Sequence, residues 1–88
     1  MKALVLYRPN SEYSRITEQF IRDYKSRYPT GRVEVVNIDT RDGIATASLY
    51  DVMSYPAILV IQDNGALQKD WQGPVLPMFD EIASYVHA

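Results

Sequence analysis

This chain contains no cysteine. Without thiols it can have no disulfide framework, no thiolate metal site and no cysteine nucleophile. Histidine is nearly absent too. His87 is the single one, has no partner at ligand spacing, and reads as a solvated tail residue. No metal and no cofactor are expected. The four glycines form no phosphate-cradling loop, and the acidic residues show no metal-ligand spacing. Neither sign of charge dominates: nine Lys and Arg stand against eleven Asp and Glu, a net charge of −2. That excludes a basic stripe for nucleic acid or an anionic membrane surface. No stretch approaches the ~18 apolar residues of a membrane span. The opening MKALVLY lacks the long apolar region and small-residue cleavage site of a signal peptide, so a cytoplasmic location is expected. Repeats, low-complexity runs and linkers are missing as well. Residues 1–88 are therefore expected to form a single domain.

What is present is apolar and aromatic. Hydrophobic residues make up 47% of the chain, with seven tyrosines and one tryptophan, which suits the efficient core that a short chain needs. Lys2 to Tyr7 is a continuous apolar run, the pattern of a strand buried on both faces. Pro9 and Asn10 break it. From Ser11 the spacing changes to threes and fours, and Tyr13, Ile16, Thr17, Phe20, Ile21, Tyr24 and Tyr28 mark one face of a helix that Pro29-Thr30-Gly31 stops. Arg32 to Asp39 is a second β-branched strand. Asp42 is a candidate N-cap for a short helix to about Tyr50, with Ile44, Ala47 and Leu49 turned inward. Ala57 to Gln62 is a third, wholly apolar strand. Asp63-Asn64-Gly65 signals a hairpin, from which Ala66 to Gln72 returns as a more polar edge strand. Trp71 on that edge fits either packing or an association surface. Val75 to Val86 reads as a last helix with Met78, Phe79, Ile82 and Val86 inside. The order is β-α-β-α-β-β-α. Two crossovers of βαβ type predict parallel pairing with one antiparallel edge, in a four-stranded mixed α/β sheet with helices on both faces.

With these elements in place, three segments resemble the thioredoxin family in its short, glutaredoxin-sized form. The stretch YRPNSEYSR, Tyr7 to Arg15, is similar to the active-site segment, with Ser11 and Ser14 at the two cysteine positions of Cys-x-x-Cys. YDVMSYPAILVI, Tyr50 to Ile61, is similar to the segment that ends in the family's proline and a buried strand. DNGALQKDWQG, Asp63 to Gly73, resembles its hairpin and closing glycine. The resemblance implies a thioredoxin-like fold and a cis peptide bond before Pro56. It also implies that Val5 and Val35 occupy the positions of a buried carboxylate and a neighbouring lysine. Serine cannot form a disulfide, so Ser11 and Ser14 mark former redox positions with no catalytic role expected.

The resemblance leads to a redox-inactive domain that binds a protein or peptide segment, through Tyr7, Arg8, Ser11, Tyr13, Tyr55 and Pro56. Two alternatives stand beside it. One is an enzyme that binds glutathione or another thiol through the Ser11 hydroxyl. The other is a thiol–disulfide oxidoreductase whose cysteines were replaced by serine. Ser11 also reads as a helix N-cap, and Ser14 as a small residue filling a cysteine site. Arg8 and Arg15 flank a helix start that favours an anion, with Glu12 between them as an offset or an ion-pair partner. Tyr7, Tyr13 and Tyr55 are expected to meet at one rim, either as a peptide-binding surface or as packing.

Overall fold

The computed structural model describes residues 1–86, so His87 and its reading as a solvated tail residue lie outside the described residues. Lys2–Tyr7 forms β1, Ser14–Arg27 α1, Val33–Asn37 β2, Arg41–Leu49 α2, Ala57–Ile61 β3, Leu67–Gln72 β4 and Phe79–Val86 α3. The strands lie side by side as β2-β1-β3-β4 in one mixed sheet.

Alternation along the strands divides the apolar side chains between two cores. Ala3, Val5 and Ile58 face one side, where Ile21 and Tyr24 of α1 and Ile82 of α3 cover them. Leu4, Leu6, Ala57, Leu59 and Ile61 face the other, closed by Ile38, Ala47 of α2 and Val52. Helices therefore cover both faces of the sheet. Every residue of β3, and Ala3 to Leu6 of β1, is buried. Burial from both faces is why these two strands read as unbroken apolar runs. β4 lies at an edge and carries the polar pattern expected of one.

The second crossover departs from the sequence reading. β1 and β2 are parallel, but β3 runs antiparallel to β1 as well as to β4. The cause lies in α2, whose nine residues rise only about 14 Å. Just beyond α2, the Tyr50 hydroxyl donates to the Gly65 carbonyl at 2.8 Å, beside the hairpin. Residues 51–56 then return along the sheet, and the N–H groups of Met53 and Ser54 donate to Gln72 Oε1 at 2.8 and 3.2 Å. Ala57 thus begins β3 opposite Leu6, at the end of the sheet the chain had left.

Several boundaries also move. α1 begins at Ser14 instead of Ser11, and Ile16 is 59% exposed because Thr17, Ile21 and Tyr24 take the buried stripe. β2 spans Val33–Asn37, shorter than the run from Arg32 to Asp39. Thr40, not Asp42, caps α2: its Oγ1 accepts from the Gly43 N–H at 3.0 Å. Only Gly43 and Ala47 of α2 are buried, so Ile44 and Leu49 face outward. α3 begins at Phe79 rather than Val75. Pro77 disfavours helical geometry at Leu76, and Met78 ends up exposed.

Candidate functional site

The loop between β1 and α1 is shaped by its own polar groups. Asn10 takes a left-handed φ of 62°, which asparagine tolerates better than most residues. The Ser11 hydroxyl donates to the Arg8 carbonyl at 2.6 Å. Both the N–H and the hydroxyl of Ser14 donate to the Ser11 carbonyl, at 3.2 and 2.9 Å. The turn that Pro9 and Asn10 open is closed in this way before helical geometry starts. Tyr13 is the N-cap residue and makes no side-chain cap, so Ser11 is a turn-closing residue and not the helix cap.

This loop meets the ends of β1 and β3 around a cavity of about 230 Å³, lined by Tyr7, Arg8, Ser11, Glu12, Tyr13, Ile38, Tyr55 and Pro56. The structure thus brings together Tyr7, Arg8, Ser11, Tyr13, Tyr55 and Pro56, while Ser14 is not part of the wall. Ile38 and Glu12 join them. Ile38 carries a signal that sequence reading passed over: it immediately follows a strand, where crevices of α/β sheets open. The Tyr55–Pro56 peptide bond is cis. Pro56 is tied to the sheet end by the Gly73 N–H, which donates to its carbonyl at 3.0 Å. Among the described residues, neither the N–H nor the C=O of Tyr55 makes a hydrogen bond.

The electrostatics of the cavity are close to balanced. Arg8 Nε donates to Asp39 Oδ1 at 2.9 Å, and Glu12 stands in the same wall. An anion would compete with both carboxylates, so the expected anion site at Arg8 and Arg15 gains no support, and Arg15 lies outside the wall. The Tyr7 hydroxyl donates to Glu18 at 2.9 Å. Partial burial pushes its pKa up, and the bond to the Glu18 carboxylate and that group's charge add to the shift. Tyr7 therefore remains a neutral donor near neutral pH.

A second hollow, of about 430 Å³, opens at the opposite end of the sheet over Leu4, Val36 and Ile61. Its rim charges pair with one another, Lys2 with Glu34 at 3.1 Å and Arg32 with Asp63 at 3.9 Å. Among the described residues no cluster of His, Cys, Asp and Glu could hold a metal ion. No helix among them is long and apolar enough to cross a membrane.

A four-stranded mixed sheet in this order, with helices on both faces and the loop, helix start and cis-proline converging at one end, is a thioredoxin-like fold. Among solved structures, thioredoxin O2 from Arabidopsis thaliana, in its oxidized state, superposes with a TM-score of 0.67. The match covers 94% of this chain and 69% of that one at 14% sequence identity, so the likeness is one of fold. No family model and no curated protein matches the sequence.

Proposed function

We propose that this domain is a redox-inactive thioredoxin-like module that binds an extended protein or peptide segment between the Arg8–Tyr13 loop and Tyr55-Pro56. The unpaired backbone of Tyr55, next to a cavity walled by three tyrosines, carries this reading. A segment passing in extended form could exchange backbone hydrogen bonds with Tyr55, as in strand addition. Tyr7, Tyr13 and Tyr55 would supply large contact areas at low entropic cost. A chain without cysteine has no dithiol to oxidise, so the groove is left with binding alone. The Ser11 hydroxyl already donates to the Arg8 carbonyl and would have to break that bond to stabilise a ligand thiolate. The glutathione reading is correspondingly weaker. A cytoplasmic setting belongs to the same proposal and rests on the missing cysteines.

The test is a screen of short extended peptides by amide chemical shifts. Binders should perturb Tyr55 and its neighbours saturably, and Tyr55→Asp should abolish binding while leaving the fold intact. Perturbations confined elsewhere, or binding indifferent to Y55D, would sink the reading. Saturable glutathione binding in the groove at millimolar ligand would replace it with the thiol-ligand alternative.

A further inference from the structure

We propose that β2 is a self-association edge, where two copies of this chain pair antiparallel through Val33–Asn37, centred on Val35, and join their sheets. β2 lies at the end of the strand order and is hydrogen-bonded to β1 alone. Edge strands ordinarily carry lysine, proline or a bulge that discourages pairing. β4, the other edge, has Lys69, an irregular register opposite Val60 and Ile61, and Gly73-Pro74 at its end. β2 reads VEVVN and has none of these. Val35, at its middle, is 44% exposed.

The backbone bonds show which groups remain free. The Ala3 N–H donates to the Arg32 carbonyl, and the Ile38 N–H donates to the Tyr7 carbonyl. With the parallel register running from Ala3 opposite Val33 to Tyr7 opposite Asn37, Glu34 and Val36 turn their N–H and C=O toward β1. Val33, Val35 and Asn37 therefore turn theirs outward. The Asn37 carbonyl is already engaged by the Thr40 N–H at 3.2 Å and the Thr40 hydroxyl at 2.7 Å. What remains is both groups of Val33 and Val35, and the N–H of Asn37.

These groups, with the charges, choose a register. Pairing centred on Glu34 would set that carboxylate directly against its counterpart, a repulsion that Lys2, at 3.1 Å, offsets only in part. Pairing centred on Val36 would place Val35 opposite Asn37, whose engaged carbonyl leaves the Val35 N–H without an acceptor. Pairing centred on Val35 lets that residue exchange both bonds with its counterpart. The Asn37 N–H then donates to the Val33 carbonyl, and Glu34 faces Val36. The strand's flanking charges agree with antiparallel pairing. Arg32 precedes β2 and Asp39 follows it, with side chains 66% and 51% exposed. Antiparallel pairing brings Arg32 of one copy toward Asp39 of the other, whereas parallel pairing would set like beside like. That complementarity makes a second copy the fitting occupant.

Because the chain has no cysteine, one introduced thiol reports its own surroundings. Cα atoms of a hydrogen-bonded antiparallel pair lie about 5.5 Å apart, within disulfide range. Val35→Cys should therefore crosslink into dimers under mild oxidation, much faster than Ser26→Cys on the exposed side of α1. Sedimentation of the unaltered protein from about 10 μM to about 1 mM should show its mass rising from monomer toward dimer. Val35→Lys, which sets two ammonium groups face to face, should remain monomeric with an unchanged circular dichroism spectrum. A protein that is monomeric throughout this range overturns the proposal, whether or not another chain docks on β2. So does a dimer that V35K leaves intact, or V35C crosslinking no faster than S26C. Should V35K fail to fold, the crosslinking comparison decides alone.

Discussion

Tyr24 is 2% exposed, and its ring is packed among Phe20, Tyr28 and Phe79. Its hydroxyl nevertheless finds no hydrogen-bond partner among the described residues. A buried hydroxyl in that state is a net cost, because the apolar ring supplies the packing while the oxygen loses its water. Tyr24→Phe is accordingly expected to raise stability by about 1 kcal/mol in urea unfolding. The pH dependence should change as well. Burial, with the nearby Tyr28 adding to it, holds the Tyr24 pKa above its ordinary value of 10.0. The folded state then retains a proton that the unfolded chain releases, so this contribution is complete below pH 10 and is lost as pH rises through the folded value. The phenylalanine variant should lose less stability than the parent between neutral pH and the alkaline range. An identical alkaline profile would mean that the hydroxyl is solvated. Ser11 and Ser14 pose the complementary question of chemistry. Ser11→Cys with Ser14→Cys should fold and close a disulfide, since the two positions sit three apart across the turn that leads into α1. Turnover in insulin reduction should be poor, because Glu12 opposes a thiolate and Arg8 is already paired with Asp39. Activity near that of an ordinary thioredoxin would instead favour an oxidoreductase whose cysteines were replaced.

α2 is the element most constrained by its surroundings. A Cβ on Gly43 would lie 1.9 Å from the Asn37 carbonyl oxygen, so the helix reaches the end of β2 only with glycine at this place. Gly43→Ala should gain up to about 1 kcal/mol in helix propensity. It should lose at least about 3 kcal/mol through the backbone clash, because no side-chain rotation can relieve it. The melting temperature should therefore fall by more than roughly 10 °C. The other end of α2 offers the opposite case. Asp51 holds a left-handed φ of 55°, while its N–H and that of Val52 close onto the carbonyls of Ser48 and Ala47. This Schellman arrangement usually carries glycine at the Asp51 position. Asp51→Gly should raise stability by about 1 kcal/mol through relief of that conformation. A loss of stability would show that the Asp51 side chain contributes something its contacts do not reveal.

Across the molecule, stability should be graded from the centre of the sheet outward. β1 and β3 are paired on both sides and covered on both faces, while β2 and β4 each have one open edge. Native-state amide exchange should be slowest at Leu4 to Leu6 and Ile58 to Val60, and faster along both edges. Pronounced protection of the outward N–H groups of Val33 and Val35 at high protein concentration would instead fit the proposed self-association. The open groups of Tyr55 lie at the far end of β3, so the candidate groove combines a firm base with an available backbone edge.

The amino-acid order by itself determined the kind and succession of elements, because burial on two faces, or one, leaves period-specific patterns in any chain. Lys2 to Tyr7 and Ala57 to Ile61 were legible as buried strands, and the Tyr13 to Tyr28 stripe as a helix face. The grouping of Tyr7, Tyr13 and Tyr55 was reached only through resemblance, since no local pattern links residues so far apart. Other features had no local signature at all. The direction of β3 depended on how far a nine-residue helix carries the chain before residues 51–56 bring it back. The hydroxyl of Ser11 was drawn to the Arg8 carbonyl by a turn whose geometry an N-cap pattern cannot distinguish from a helix start. Ile44 and Leu49 looked inward by spacing, yet faced solvent once Gly43 had brought α2 against the end of β2. Spacing records which residues share a face, but tertiary packing decides which faces meet, because only the assembled sheet fixes where each helix has room to lie.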